Sequence, residues 1–173
     1  MIYNNTQVEP TYATMYANAC YFTFSGKIPV ETIQSILESL ISKNKTCALK
    51  DLLVIRNEQF DDLDVAKRII GLVKFITDFY KVGFLSSKHI HSHIRKLLDS
   101  NLICDCSCHL TCIIMFSCGE QLYSGNNNSD ALQSCINKIK KYCDNVKISS
   151  KTRFMVQKLN KLQKHWKTTV EDL

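Results

Sequence analysis

Glycine and proline are scarce in this chain, with five glycines and two prolines among its 173 residues. A β-sandwich or barrel turns about every 8–12 residues and uses these residue types at its turns. The scarcity therefore argues against an all-β fold and favours helices. The scattered glycines also form neither a Gly-x-Gly-x-x-Gly run nor a P-loop, so no phosphate-binding loop of nucleotide-dependent enzymes is present.

Long apolar runs are missing as well. The longest, such as Cys112–Phe116, fall far short of the roughly 20 residues that span a bilayer, and the residues after Met1 do not resemble a signal peptide. We therefore expect a cytoplasmic protein without a membrane partner, in which nine cysteines remain thiols. No Gly-x-Ser-x-Gly or other nucleophile pattern occurs, so we predict no catalytic residue and no enzyme.

Helical periodicity is what the chain has in abundance. Short connections between successive helices force antiparallel packing, and either a bundle or an α-solenoid satisfies that constraint. We expect one domain over residues 1–173. Seven helices are predicted: Thr11–Phe24, Pro29–Lys43, Leu63–Val82, Ser86–Leu98, Leu102–Tyr123, Asp130–Asn145 and Ser150–His165.

Apolar spacing predicts which helix faces are buried. In the first helix the predicted face consists of Tyr12, Met15, Tyr16, Ala19 and Cys20. In the second it consists of Ile33, Ile36, Leu37, Leu40 and Ile41. In the third it consists of Ile69, Ile70, Val73, Ile76 and Tyr80, with Gly83 as the C-terminal cap. In the fourth it consists of Ile90, Ile94, Leu97 and Leu98.

Charge is distributed unevenly along the chain. Residues 51–64 carry a net charge of −4, whereas residues 136–168 carry ten bases and one acid. A positive field of this kind suits RNA or an acidic protein surface equally well, and a solvated lysine-rich face is the simpler alternative. The candidate RNA-binding residues are Lys138, Lys140, Lys141, Lys147, Lys158, Lys161 and Lys164.

Cysteines and histidines cluster in two places. Cys104, Cys108 and Cys112 would spread over about 12 Å of a helix, too far to share one tetrahedral zinc ion. We therefore expect these cysteines in the core, with no metal, disulfide or cofactor. His89 and His93 are four residues apart, as in some zinc helices, but neither an intervening glutamate nor a third ligand is evident. Structural or surface roles are predicted for His89, His91 and His93.

Three stretches resemble the middle domain of eukaryotic translation initiation factor 4G. Glu9–Cys20 is similar to that family's E-P-x-Y-x-x-[LM]-Y-A-x-x-C pattern. Val73–Leu98 resembles its K-F-I helix and the H-x-x-I-K-x-L-L helix that follows. Ser149–Gln157 resembles its S-S-R-I-R-F-M-L-Q segment, and Trp166 matches its terminal tryptophan.

The resemblance extends from about residue 8 to residue 167. It implies an all-α fold of HEAT-like antiparallel helix pairs stacked in a crescent, and it favours the solenoid over the bundle. Two departures accompany it: the helical pair that precedes the E-P-x-Y segment in the family is lacking, and a long insertion is reduced to residues 57–64. The resemblance implies that each end of the crescent contacts one lobe of a two-lobed partner. Because the pair at one end is lacking, we expect the chain to bind one isolated lobe nearly as tightly as the whole partner.

The resemblance also implies a function. Such domains are non-enzymatic translation-initiation scaffolds that bind a DEAD-box helicase of the initiation factor 4A type. The implied contact residues are Lys151, Arg153, Phe154 and Gln157, and cations at a helix start, which oppose the helix dipole, agree with a partner there. Two alternatives stay open: an RNA-binding module, and an adaptor for an mRNA-bound protein of the poly(A)-binding or histone-message-binding type, which could act as a homodimer.

Overall fold

The computed structural model describes residues 12–24, 26–29, 31–33, 35, 39, 63–99, 103–124, 129–146 and 148–171. Within these ranges all regular secondary structure is helical, which confirms the all-α prediction. The helices are α1 (Ala13–Phe24), α2 (Leu63–Lys81), α3 (Ser87–Leu97), α4 (Asp105–Ser124), α5 (Ser129–Asn145) and α6 (Ser150–Glu171). In the described part of the chain, no helix combines the length and apolar character needed to cross a bilayer.

The chain divides into two compact units, Met1–Ser86 and Ser87–Leu173. In the first unit α1 packs against α2. The buried face of α2 contains Val73 and Ile76 as predicted, whereas Ile70 and Tyr80 are only half-buried. The side chain of Ile69 lies outside those that the structure describes. Its largest buried side chains are Leu72, Phe75 and Phe79.

Gly83 ends α2, as predicted. Its φ of 85° is a left-handed conformation that glycine adopts without strain. The turn lets the Phe84 N–H donate to the Phe79 carbonyl at 3.0 Å. It also stacks the two phenylalanine rings 5.9 Å apart, so the chain turns back onto the core of the first unit.

The predicted buried face of α1 is wrong at three of its five residues. Tyr12 and Met15 are 48% and 55% exposed, whereas Ala17 is fully buried. Of the predicted residues, Cys20 is buried, Tyr16 is half-buried and Ala19 is exposed. Apolar residues occur around the whole circumference of α1, so their spacing does not single out one face.

A polar contact accompanies the observed orientation of α1. Thr14 Oγ1 donates to Asp78 Oδ2 at 3.0 Å, and this carboxylate is buried on α2. Turning Thr14 toward α2 places Ala17, one turn further on, in the same interface. The Tyr21 ring lies on this side as well, 5.7 Å from Phe84.

The predicted second helix is described only in part. Residues 31–33 are helical and Ile33 is buried. The Ile33 N–H donates to the Pro29 carbonyl at 3.3 Å, in agreement with a helix that starts near this proline. The other predicted core positions, Ile36, Leu37, Leu40 and Ile41, lie outside the described side chains, as does the acidic segment of residues 51–62.

In the second unit, α4 packs against α3, α5 and α6. The residues Ile90, Ile94 and Leu98 are buried on the α3 side, as predicted, and Leu97 is half-buried. α4 begins at Asp105, three residues later than predicted, because Cys104 occupies the N-cap position. Its N–H donates to Ser107 Oγ at 2.9 Å and its carbonyl accepts from the Cys108 N–H at 3.1 Å.

Candidate interaction surface on α6

α6 has one buried and one exposed side. Thr152, Val156, Leu159, Gln163 and Trp166 are buried. The opposite side carries residues that are all exposed, and we call it the α6 basic face: Lys151, Arg153, Phe154, Gln157, Lys158, Lys161 and Lys164. At 100° per residue these seven positions fall within half of the helix circumference. No acidic residue occurs between positions 150 and 170.

Hydrogen bonds fix the first turn of α6. Ser149 Oγ accepts from the Thr152 N–H at 3.2 Å, which is the N-cap arrangement. The Ser149 N–H donates to Asp105 Oδ1 at 3.2 Å. Because Asp105 starts α4, the ends of two helices are tied together, and the backbone that carries Arg153 is held by the core of the unit.

The four residues implied to contact a helicase lie together in the first two turns of α6. Phe154 is 66% exposed, an unusual state for a phenylalanine on a well-packed helix. Within the described residues, neither Lys151 nor Arg153 forms a salt bridge. Both cations lie near the N-terminus of α6, where the positive end of the helix dipole repels them. Asp105 is close enough to act with Lys151 on the same histidine, but it forms no ion pair with either cation in the described part of the chain. Met155, on the same turns, is half-buried.

The positive field at the start of α6 acts on a neighbouring side chain. Burial lowers the pKa of His109, the Lys151 ammonium lowers it further, and Asp105 opposes both effects. His109 is therefore neutral near pH 7, and it adds no charge to the surface. The positive charge of the α6 basic face therefore comes from its lysines and Arg153 alone.

The predicted RNA-binding lysines do not form one surface. Lys158, Lys161 and Lys164 belong to the α6 basic face, and Lys158 Nζ lies 5.6 Å from the centroid of the Phe116 ring. On α5, Lys138 and Lys140 lie about 200° apart around the helix, so they face different directions. Lys141 is exposed near the Lys138 side, and Lys147 is outside the described residues.

The cysteines of α4 are core residues. Cys106, Cys108 and Cys112 are all at least 97% buried. Burial raises the pKa of Cys106 and Cys108 above the ordinary range and raises that of Cys112 to about 12. Cys104 does not share the buried position of Cys108 and Cys112, because it caps the helix. Its Sγ accepts a hydrogen bond from the Ser107 N–H at 3.4 Å.

Across the described ranges, no three His, Cys, Asp or Glu side chains come together as a metal site would require. His89, His91 and His93 are half-buried on α3. The sequence predicts only a structural or surface role for His91 and no role for Arg95, although both line a cleft in the structure. Single polar residues on a helix carry no signal of such a cleft.

Known proteins resemble this chain along nearly its whole length. Residues 2–165 match the family model of the MIF4G domain. The chain is 27% identical over 172 residues to eukaryotic translation initiation factor 4 gamma of Dictyostelium discoideum, and 24% identical over 194 residues to eukaryotic translation initiation factor 4G of Cucumis melo. Each alignment covers 95% of this chain but only 11% and 10% of the respective relative.

Proposed function

The chain belongs to the MIF4G domain family, and we propose that it is a non-enzymatic translation-initiation scaffold that binds a DEAD-box RNA helicase of the initiation factor 4A type. The family fold is an all-α arrangement of HEAT-like helix pairs, so the predicted fold class is confirmed. The chain spans about a tenth of the length of the curated relatives it matches. The helicase, the cytoplasmic location and the residues in contact are therefore part of the proposal.

The observation that supports the proposal most directly is the first two turns of α6. Here an exposed phenylalanine, Phe154, lies beside Lys151 and Arg153, which form no described ion pair. Aromatic and arginine side chains are enriched among the residues that dominate protein–protein binding energy. The hydrogen bonds of Ser149 hold this surface in place before binding, which reduces the entropy lost on association.

A scaffold of this kind acts through the helicase. It has no reaction of its own in the proposal. By binding the helicase more tightly in one lobe arrangement than in another, it shifts the population toward that arrangement. The effect on ATP hydrolysis depends on which arrangement the scaffold prefers.

The test is a titration of initiation factor 4A with the wild-type chain and with two charge-reversal variants, Arg153→Glu and Lys96→Glu. Lys96 is an exposed cation on α3, so both variants change the net charge by the same amount. We expect Arg153→Glu to weaken binding at least tenfold and Lys96→Glu to change it less than twofold. Phe154→Ala should also weaken binding, and thermal unfolding should show that all three variants are folded. Unchanged affinity for Arg153→Glu and Phe154→Ala would exclude this surface.

RNA binding is a second candidate, because the α6 basic face combines five cations with an aromatic ring and contains no acid. Neutralised phosphates release counterions, so affinity for RNA falls steeply with salt concentration. The triple variant Lys158→Gln, Lys161→Gln and Lys164→Gln should flatten that dependence for a single-stranded RNA. Its affinity for the helicase should change little. A salt dependence equal to that of the wild type would argue against RNA on this face.

A further inference from the structure

A cleft of about 210 Å³ lies between α3 and α5 in the second unit. α3 contributes His91 and Arg95, one turn apart on the same face. α5 contributes Ser134, Cys135 and Lys138, which also lie within one turn. Polar side chains from two helices therefore converge on one small volume, which no described residue of α6 lines.

The cleft is positively charged. Arg95 and Lys138 are exposed, and neither forms a salt bridge within the described residues. No carboxylate lines the cleft. Burial raises the pKa of the Cys135 thiol, whereas Arg95 and then Lys138 lower it. Both cations are thus close enough to act on the same group, so their fields add in the cleft.

One polar atom at this cleft lacks a partner. His91 Nε2 is buried and has no hydrogen-bond partner among the described residues. Buried polar atoms of native proteins are nearly always hydrogen-bonded to protein, water or a ligand, so each exception requires an explanation. Burial and then Arg95 lower the pKa of His91, which keeps the imidazole neutral near pH 7. A neutral imidazole still has one N–H to donate.

We propose that the α3–α5 cleft binds one phosphate monoester group, presented by a phosphorylated serine or threonine of another polypeptide. A phosphate monoester carries about −1.5 to −2 charges at pH 7, which matches the two cations. The Arg95 guanidinium provides two parallel N–H donors suited to phosphate oxygens, and Lys138 provides a point charge. The Ser134 hydroxyl is a further donor.

The surroundings favour a single phosphate over the repeated phosphates of RNA. Asp99 is exposed one turn beyond Arg95, and Asp130 is exposed at the start of α5. A polyanion would place additional phosphates near these carboxylates, whereas an isolated phosphate would not. Ala131 is half-buried at the edge of the cleft and offers apolar contact to a peptide, whereas Leu98 is buried beneath it. The proposal does not depend on helicase binding, because it uses α3 and α5 rather than α6.

The experiment is an NMR titration of the full chain, labelled with ¹⁵N, with N-acetyl-O-phosphoserine methylamide. We expect saturable shifts of the Ser134 and Cys135 amides and a rise in the pKa of His91, because a bound anion favours the imidazolium. The same compound without phosphate should cause none of these changes. Absence of saturable shifts with the phosphorylated compound would overturn the proposal.

Two variants test the cations. Arg95→Gln and Lys138→Gln should each weaken binding about tenfold, as expected for the loss of a charged hydrogen bond. The matched controls are Lys96→Gln and Lys141→Gln, which remove exposed charges from the same two helices outside the cleft. An equal loss in the controls would mean that only net charge matters and would overturn the assigned site.

Two further probes distinguish the source of the phosphate. Inorganic phosphate at equal ionic strength should bind more weakly than the phosphoserine compound, because it cannot make the apolar contact with Ala131. A 5′-phosphorylated oligouridine should also bind the cleft more weakly, because its remaining phosphates meet Asp99 and Asp130. If either probe binds the cleft more tightly than phosphoserine, with the same dependence on Arg95, the assignment to a phosphorylated polypeptide is wrong.

Discussion

At the scale of single residues, Gly119 permits close packing of two helices because it has no side chain. It lies on α4 under the indole of Trp166 on α6, and a methyl group at this position would overlap the ring. The indole is rigid and 95% buried, so it has little room to move. The family resemblance includes this tryptophan, but the need for a glycine opposite it is visible only in the folded unit.

Gly119→Ala should therefore destabilise the protein. Alanine gains about 1 kcal/mol over glycine in a helix interior, but overpacking of a core costs about 1–3 kcal/mol. We expect a net loss of roughly 1 kcal/mol in the free energy of unfolding, measured by urea denaturation. Gln121→Ala, at an exposed position of α4, is the control and should be nearly neutral. A smaller penalty for Gly119→Ala in a Trp166→Phe background would identify the ring as the cause.

The buried carboxylate of Asp78 gives a second prediction at this scale. It accepts from Thr14 Oγ1 at 3.0 Å and has a longer ion pair, 3.7 Å, with the exposed Lys81 Nζ. Thr14→Val should cost about 1–3 kcal/mol, because hydrogen bonds to charged groups are strong. Lys81→Gln should cost less than about 1 kcal/mol, since exposed ion pairs contribute little. Thermal unfolding of the two variants compares them directly, and the opposite order would show that the Thr14 contact does not orient α1.

At the scale of helices, the start of α6 depends on Ser149. This residue caps the helix and also bonds Asp105 at the start of α4. The sequence correctly predicts that α6 begins at Ser150, and serine, which precedes it at position 149, is a preferred N-cap residue. The hydrogen bond from the Ser149 N–H to Asp105 of α4 could not be predicted, since the two residues are 44 positions apart.

Ser149→Ala should lower the free energy of unfolding by about 1 kcal/mol, the usual cost of a lost N-cap. Ser150→Ala, at the neighbouring exposed position, leaves the cap in place and should be nearly neutral. Hydrogen exchange of the α6 amides should increase in the first turn for Ser149→Ala alone. Equal behaviour of the two variants would mean that the cap does not hold the surface carrying Arg153.

At the scale of the whole molecule, buried titratable groups make stability depend on pH. His91 and His109 have a lowered pKa, so unfolding takes up protons when the pH falls below their ordinary value of 6.5. Buried thiols affect stability at alkaline pH. Burial raises the pKa of Cys112 from 9.0 to about 12, so just above pH 9 only the unfolded chain releases this proton. Stability should therefore decrease on both sides of a neutral plateau.

The alkaline decrease should amount to roughly 1.4 kcal/mol per pH unit for each such thiol, between the unfolded and folded pKa values. The measurement is the free energy of unfolding from urea curves between pH 7 and 11. Cys112→Ala will be less stable at every pH because it leaves a cavity, but its alkaline slope should be shallower. His109→Asn should likewise flatten the acidic slope. Parallel curves for wild type and variants would contradict these assignments.

The sequence by itself determined the helical class and most helix boundaries, because these follow from local periodicity and capping residues. The resemblance to a known family pointed to the cluster at the start of α6. The tertiary structure decided what depends on distant partners. The face of α1 turns toward Asp78, 64 residues from Thr14, and Gly119 accommodates Trp166. The cleft of His91, Arg95 and Lys138 exists only because α3 and α5 are neighbours. Local spacing specifies which residues share a helix face, but only packing specifies what that face meets.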